Sequence, residues 1–143
     1  MPQAGLTIGS DARFDILTPQ GLISLPTLTR FDAKKINQKM TVKPLNGFPI
    51  QLVFLEGGWQ GSFSVSRADN TLDAYFAAYE AAYYAGANLG SGVIQQTINE
   101  ISGVPSVFQF QGVVLEYADA GDYEAEKNVM QSVSFFASTR IQL

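Results

Sequence analysis

Residues 57–86 read "GGWQGSFSVSRADNTLDAYFAAYEAAYYAG" and hold a strand pattern followed directly by a helix pattern. Apolar or small residues alternate with polar ones over residues 59–66, which predicts a half-buried strand. Residues 70–85 carry apolar and small residues at helical spacing with only two charges, which predicts a helix. The three glycines within residues 57–61 and the single tryptophan pose one question: whether this part is a ligand-binding loop or part of a structural frame.

The junction between the predicted strand and helix contains suitable capping residues. Asp69 or Asn70 suits the N-cap, and Asp73 suits the first turn. Gly86 suits the C-terminal stop. Arg67 lies next but one to Asp69, and we expect an ion pair between them that fixes the corner. The candidate corner residues are Trp59, Arg67 and Asp69.

The predicted helix is apolar or small on nearly every side. Leu72 and Phe76 belong to one apolar stripe, and alanines form a second face. Burial on more than one side is hard to arrange in a single small domain, so we expect the alanine face to meet another subunit. The candidate interface alanines are Ala74, Ala78 and Ala81.

The glycine-rich segments do not match nucleotide-binding loops. "GGWQGS" lacks the Lys-Ser or Lys-Thr pair that a P-loop uses to hold phosphate. "GANLGSG" at residues 86–92 follows a helix and precedes a strand, the reverse of a dinucleotide-binding turn. Both observations favour a structural frame over a ligand loop.

Strand patterns recur on both sides of this segment. Alternating or apolar runs predict strands over residues 12–17, 39–45, 50–55, 93–101, 106–117 and 128–142, with residues 50–55 buried. Residues 18–38 have no clear period and hold two prolines and a glycine, which indicates a long loop or arm. We predict a single domain over residues 1–143, mainly β: a β-sandwich or barrel with one flanking helix at about residues 70–85.

The composition argues against an enzyme. The chain has no cysteine and no histidine, which removes disulfides, thiolate chemistry and the commonest general base and metal ligand. We therefore predict a non-enzymatic protein without a cofactor or a metal. No signal peptide or membrane-spanning run is evident, and we expect folding in a cytoplasm.

The later strands carry almost no charge, although sheets of monomers commonly place Lys or Glu on their solvent face. Charged residues make up 15% of the chain, against about a quarter in a typical domain. A polar, uncharged face suits the wall of a lumen or a surface shared by subunits, and the alternative is an ordinary sandwich with a bland surface. The candidate lumen-facing residues are Gln95, Thr97, Asn99, Gln109, Gln111, Ser132, Ser134 and Ser138.

Charge is concentrated in two other segments. Five of the nine basic residues lie within residues 30–43: Arg30, Lys34, Lys35, Lys39 and Lys43. An acidic segment at residues 116–126 contains Glu116, Asp119, Asp122, Glu124 and Glu126. One basic and one acidic patch on one chain suit self-association, so we predict that they meet across subunits. Two solvated loops are the alternative; a calcium site is disfavoured because the EF-hand spacing is absent.

Two segments resemble tail tube proteins of tailed bacteriophages, especially contractile-tailed ones. The first is residues 57–86, with a Gly-Trp strand, an Arg-containing corner and a Leu-Asp-containing helix in that order. The second is "FQGVVLEYADAGDYEAEKNVMQSVSFFAS" at residues 110–138, where an apolar strand ends in acidic residues before an Asp-Ala-Gly turn and a closing strand. The resemblance covers about residues 50–140 and not the first forty.

The resemblance implies a structural virion protein that is assembled in a host cytoplasm. It implies hexameric rings that stack into a tube, with the inner strands joined into one barrel. DNA and a tape-measure protein would pass through the lumen, and sheath and baseplate proteins would be further partners. A lumen poor in Lys and Arg would not grip DNA phosphates. The alternative function is a small β-sandwich module that binds carbohydrate, with Trp59 and the helix tyrosines as stacking groups.

Overall fold

The computed structural model describes residues 4–19, 21–23, 25, 27–87 and 90–143. A short 3-10 helix (Gly9–Asp11) precedes ten strands and one α-helix. In chain order these are β1 (Ala12–Thr18), β2 (Gly21–Ile23), β3 (Leu28–Lys35), β4 (Gln38–Val42), β5 (Ile50–Phe54), β6 (Trp59–Ser66), α1 (Thr71–Tyr84), β7 (Gly92–Ile98), β8 (Ser106–Asp119), β9 (Met130–Ala137) and β10 (Thr139–Gln142).

The main sheet is antiparallel and folds over into two layers. Its order is β2-β1-β7-β8-β9-β6-β3, and β10 also pairs with β8. The long strand β8 belongs to both layers, because its first half pairs with β7 and β10 and its second half pairs with β9. Gly112, at φ 67°, lies at a register shift in the β7–β8 ladder, where such a bulge bends the strand. The predicted class, a mainly β sandwich with one helix, is confirmed.

Aromatic side chains fill the space between the two layers. The Phe31 ring of β3 stacks on Phe14 of β1, with 3.9 Å between ring centroids. It also lies 5.3 Å from Phe135 and 6.2 Å from Phe110. Phe63, Ile94, Phe110 and Val133 are almost completely buried. This cluster joins β3, β6 and β9 on one side to β1, β7 and the first half of β8 on the other.

The prediction of a long loop over residues 18–38 is wrong for most of the residues described there. It contains β2 and β3, and β3 pairs with β6 along nearly its whole length. Phe31 and Ala33 pack against the core, while Arg30 and Lys34 alternate with them on the opposite face. Because charged residues alternate with the apolar ones, the sequence pattern does not indicate a strand here. Pairing with β6 stabilises the strand.

The glycines of residues 57–61 allow backbones to approach closely. A Cβ atom on Gly61 would overlap the carbonyl oxygen of Asp32 in β3. A Cβ on Gly57 would lie 2.7 Å from the Ile36 carbonyl oxygen, and one on Gly58 would lie 2.7 Å from that of Ala137. These glycines therefore belong to the frame, and the prediction that they mark close backbone approach is confirmed.

The helix and β6 are confirmed nearly to the residue, while other boundaries differ. Residues 50–54 form a strand, but β4 and β5 make a separate exposed hairpin rather than the predicted buried strand. The run over residues 128–142 is two strands, which separate at Ser138 beside Gly112. Strand β8 runs on to Asp119, into the segment predicted as a loop. Within the described part of the chain, no helix is long and apolar enough to cross a membrane.

Candidate assembly surfaces

The corner between β6 and α1 is held by Asp73, not by an Arg67–Asp69 pair. The Arg67 Nε lies 2.9 Å from Asp73 Oδ2, while Asp73 Oδ1 accepts hydrogen bonds from the Tyr117 hydroxyl at 2.7 Å and from Gln131 Nε2 at 3.1 Å. One carboxylate thus connects the helix to three neighbouring parts of the sheet. The expected Arg67–Asp69 ion pair is wrong, because the turn places Arg67 against the first helical turn instead.

The donors around Asp73 shift its ionisation. Hydrogen bonds from Tyr117 and then from Arg67 hold the pKa of Asp73 below its ordinary value. Burial, together with the bond to Asp73, raises the pKa of Tyr117 well above its ordinary value. Asp69 precedes the N-cap residue Asn70, and its Oδ1 accepts hydrogen bonds from the Thr71 hydroxyl at 2.7 Å and from the Thr71 N–H at 3.0 Å, which hold the start of the helix. These contacts stabilise the junction between β6 and α1.

Trp59 is not part of this corner. It opens β6, whereas Arg67 follows the last residue of that strand, about 25 Å away at the spacing of an eight-residue strand. Its ring packs edge-on against Phe110, with centroids 5.7 Å apart, and the Arg140 guanidinium lies 5.4 Å from the ring centre. The aromatic residues proposed to stack against carbohydrate therefore do not lie on one surface, since α1 and its tyrosines lie beyond the other end of β6.

A groove of about 1040 Å³ lies where β1 and β3 face each other without pairing. Phe14, Phe31 and Trp59 contribute to its lining. Arg140 also lines it; its Nη2 donates to Gln96 at 3.0 Å, and its guanidinium lies 4.0 Å from the centre of the Phe108 ring. Burial lowers the pKa of Arg140. Among the described residues, no cluster of three or more acidic side chains could hold a metal ion.

The four-stranded ladder β3-β6-β9-β8 carries a polar face over two cross-strand rows, and the row that follows towards the start of β6 adds Phe136 and Val114, which are 44% and 47% exposed. Ser62 is the cross-strand neighbour of Asp32 on one side and of Ser134 on the other, and Ser134 neighbours Glu116. The next row contains Ser64 and Ser132, whose hydroxyl oxygens are 3.3 Å apart. Serines therefore occupy the middle of this face, and charged side chains occupy its two margins. We call it the serine face.

The serine face ends in two strand edges that are unpaired among the described residues. Strand β3 pairs with β6 alone, and residues 114–119 of β8 pair with β9 alone. The β3 edge carries Arg30, Asp32 and Lys34, and the β8 edge carries Glu116 and Asp119. Arg30 is already paired with Asp32 at 3.1 Å, whereas Lys34 and Glu116 have no ion pair in the described structure.

A groove of about 590 Å³ runs along the free β8 edge. Helix α1 forms its other wall. The lining is mostly apolar, with Phe76 and Tyr79 from the helix and Val114, Leu115 and Tyr117 from the strand, and the Phe76 and Tyr117 rings stack with 4.5 Å between their centroids. An extended segment that paired with this edge would therefore also bury apolar surface.

The predicted lumen-facing residues do not share one surface. Ser132 and Ser134 lie on the serine face. Gln95, Thr97, Gln109 and Gln111 lie on the outward surface of the other layer, formed by β7 and the first half of β8. Asn99 follows the end of β7, and Ser138 lies at the break between β9 and β10. One lumen cannot be lined by both groups, because the bulge at Gly112 directs the two halves of β8 into different layers.

The hairpin lysines and the acidic residues that follow Asp119 lie at opposite ends of the sheet, whereas Lys34 and Glu116 lie on the two edges of the serine face. The β4–β5 hairpin, with Lys39 and Lys43, leaves from the end where β6 begins. The acidic segment follows Asp119, which pairs with Ser132 near the start of β9, and the start of β9 pairs with the end of β6. Within one protomer the hairpin lysines therefore do not meet the acidic residues that follow Asp119. Lys35 is also engaged, since its Nζ donates to the Leu55 carbonyl at 2.7 Å.

The β4–β5 hairpin presents an apolar surface that the rest of the described structure leaves largely exposed. One of its faces is formed by Met40, Val42, Ile50, Leu52 and Phe54, which are 40–54% exposed. Its tip holds Leu45 and Phe48, which are 101% and 90% exposed. Large apolar surfaces of this kind mark interaction sites. The sequence pattern identified the strand but not its exposure.

The alanine face of α1 is also uncovered in the protomer. Ala74, Ala78 and Ala81 are exposed, whereas Leu72 and Phe76 are buried against the sheet. At the C-terminal end, Tyr83 and Tyr84 are 65% and 78% exposed. The helix is therefore buried on one side within the chain, and contact of the alanine face with another subunit stays a prediction.

No protein-family profile and no curated protein sequence matches the chain. Solved structures do match its fold. A chain from the sheath/tube terminator of the extracellular contractile injection system PVC, in the extended state, gives a TM-score of 0.64 at 9% identity, covering 92% of this chain and 93% of that one. A chain from the baseplate of the anti-feeding prophage gives 0.64 at 7% identity, covering 99% and 97%. A chain from the PVC sheath–tube complex gives 0.62 at 8%, covering 92% and 88%.

These structural neighbours belong to phage-tail-like contractile assemblies, and each spans almost the whole of the present chain. At such low identity the match establishes a common fold. The similarity of fold therefore covers nearly the whole chain, and it is to components of contractile injection systems rather than to tail tube proteins specifically.

Proposed function

We propose that the protein is a structural, non-enzymatic subunit that assembles with copies of itself into stacked rings, forming the tube of a phage tail or tail-like particle. The observation that carries this proposal is the serine face, which ends in two free strand edges with complementary unpaired charges. The fold shared with contractile injection assemblies supports it. Six copies per ring is the number that the resemblance implies.

The lateral joint follows from strand direction. Strands β3, β6, β9 and β8 alternate in direction, so β3 and β8 run opposite ways. When β3 of one subunit lies beside β8 of the next, the joint is antiparallel and the ladder continues without interruption. The groove along β8 receives the incoming strand. Because one subunit offers β3 and the next offers β8, the contact is head-to-tail and can close into a ring.

Side-chain charge specifies the register of this joint. Asp32 and Glu116 occupy the same cross-strand row, so a joint without stagger would place two carboxylates opposite each other. A stagger of two residues places Lys34 opposite Glu116 instead. Barrels require such a stagger, because their strands tilt relative to the axis.

The serine face lines the channel in this arrangement. The other side of the same strands is the hydrophobic core, so the serine face is the surface they can present to a lumen. Its middle is hydroxyl-rich, and its marginal charges are of both signs. Such a wall lets DNA or a tape-measure protein pass without gripping phosphates, which requires clustered Lys and Arg. The Gln95, Thr97, Gln109 and Gln111 surface then lies away from the channel.

Axial stacking uses the two ends of the sheet. The apolar, basic hairpin of one ring faces the acidic segment of the next, which buries the hairpin's exposed face and pairs opposite charges. Reversing Lys39 and Lys43 to Glu should impair stacking but leave single rings intact. Reversing Asp122 and Glu124 to Lys in the same chain should partly restore it. Sheath and baseplate proteins remain further proposed partners of the assembled tube, which would form in the host cytoplasm.

Disulfide trapping tests the lateral joint, because the native chain has no cysteine. Lys34→Cys combined with Glu116→Cys places thiols at directly opposite positions of the proposed joint, where the Cα separation of about 4.5–5.5 Å suits a disulfide. Mild oxidation should give a ladder of covalent multimers. Arg13→Cys with Glu116→Cys is the matched control, since Arg13 lies in the other layer.

Negative-stain microscopy of the same samples should show rings or tubes. A protein that stays monomeric at high concentration would refute self-assembly. Rings that form without a Lys34–Glu116 crosslink, or with equal crosslinking of the control pair, would refute the strand joint.

A further inference from the structure

The Asn46–Gly47 pair at the hairpin tip combines several features that favour loss of the asparagine amide. Both residues are exposed, and the hairpin strands pair only with each other among the described strands. Gly47 has no side chain to shield its main-chain nitrogen. The Asn46 side chain takes part in no hydrogen bond within the described structure. An unrestrained asparagine thus precedes an unhindered nucleophile.

We propose that Asn46 is a self-modification site that deamidates in the unassembled subunit. The main-chain nitrogen of Gly47 attacks the Asn46 side-chain carbonyl carbon. A carbon–nitrogen bond forms, the bond from that carbon to Nδ2 breaks, and ammonia leaves with the proton from the Gly47 N–H. Water then opens the resulting cyclic imide at either carbonyl carbon, giving aspartate or isoaspartate. The sequence of steps needs water alone.

The other described asparagines lack this combination. Asn128 is restrained, because it accepts a hydrogen bond from the Ser66 hydroxyl at 2.6 Å and its Nδ2 contacts the Met130 sulfur at 3.4 Å. Asn70 precedes Thr71, whose β-branched side chain crowds the main-chain nitrogen. Asn37 and Asn99 precede Gln and Glu. The chain therefore contains its own internal comparison.

The modification changes the most exposed apolar part of the molecule. It adds a negative charge between Leu45 and Phe48, which are 101% and 90% exposed, and isoaspartate also lengthens the main chain by one methylene. This consequence rests on the proposed stacking. Burial of the tip between rings would make the new charge unfavourable, and docking would restrain Asn46 and slow its deamidation. Subunits that stay unassembled would then lose the ability to stack.

The chemical step is tested on the dilute, unassembled protein in mildly alkaline buffer. Peptide mapping by mass spectrometry should find aspartate and isoaspartate at Asn46, well before any change at Asn37, Asn70, Asn99 or Asn128. Gly47→Ala should slow the reaction by on the order of tenfold, since the added Cβ shields the nitrogen. Asn46→Gln keeps the amide and should abolish it. An unchanged Asn46, or equal rates at all five positions, would overturn the site whether or not the protein assembles.

The coupling to assembly has a separate readout. Asn46→Asp should raise the concentration needed for stacking by on the order of tenfold, while Asn46→Gln should leave it unchanged. Asn46 in assembled tubes should also deamidate more slowly than in free subunits. Equal rates in tubes and free subunits would overturn the protective role. Absence of any tubes would overturn the proposed function but leave the chemical result standing.

Discussion

Replacing Asp73 by Asn tests whether one carboxylate holds the helix against the sheet. The substitution keeps the size of the side chain but removes its charge from the bonds to Arg67, Tyr117 and Gln131. Hydrogen bonds to charged groups contribute about 1.5–3 kcal/mol, against about 0.5–1.5 kcal/mol for neutral pairs. The difference is about 1 kcal/mol per bond where burial is complete. Since the Asp73 side chain is 34% exposed, we expect a total loss near 2 kcal/mol.

Urea unfolding followed by circular dichroism measures this loss. At neutral pH the unfolding midpoint should fall with an unchanged slope, and the Tm should drop by about 6–10 °C for a domain of this size. Glu80→Gln is the matched control on the same helix, because Glu80 is exposed and has no ion pair in the described structure. Its effect should stay within about 0.5 kcal/mol.

The pH dependence gives a second check on Asp73. Its pKa is lowered in the folded state, so its contribution is present above the unfolded-state pKa and is lost as the pH falls through the folded value. The gap in stability between wild type and Asp73→Asn should therefore narrow as the pH falls below the ordinary pKa of aspartate and close once it is below the lowered folded-state pKa. A gap that is absent at neutral pH, or one that persists unchanged into acid, would refute the role of the carboxylate.

Two further substitutions test the frame and the uncovered helix face. Gly61→Ala should cost about 1–3 kcal/mol in chemical denaturation, because its Cβ would overlap the Asp32 carbonyl; Gly9→Ala, which has open space around it, is the control, and equal effects would contradict the close approach. Ala78→Leu should leave the stability of the protomer within about 0.5 kcal/mol, since the site is exposed, but should reduce assembly seen by microscopy. Normal assembly would show that this face meets no other subunit.

Features fixed by local periodicity could be predicted from the sequence. Strand β6 and helix α1 lie where alternation and helical spacing place them. The sequence pattern did not indicate strand β3, because Arg30, Asp32 and Lys34 alternate with Phe31 and Ala33. Pairing with β6 explains why a strand forms despite these charges. The partner of Arg67 depended on how the chain turns, which the sequence does not specify.

The sequence predicted which residue types the surfaces contain, but not where these residues lie in the fold. Serine and glutamine positions were recognised as an uncharged polar set, but their division between two layers depends on the bulge at Gly112. Residues 50–54 are apolar enough for a core strand, yet the fold places them outside it. Hydropathy records that a side chain avoids water, and it does not distinguish burial within the chain from burial between chains.

The isolated hairpin has a kinetic consequence. Two strands without a supporting core are only marginally stable in water. We therefore expect β4 and β5 to lose much of their conformational entropy only when they dock. In the proposed assembly, a lone ring would offer its hairpins no acceptor, whereas the end of an existing tube would offer a complete set at once. We therefore expect spontaneous initiation to be slow and elongation to be fast. Growth should show a lag that preformed seeds abolish, and the place and time of nucleation should then decide the length of the proposed tube.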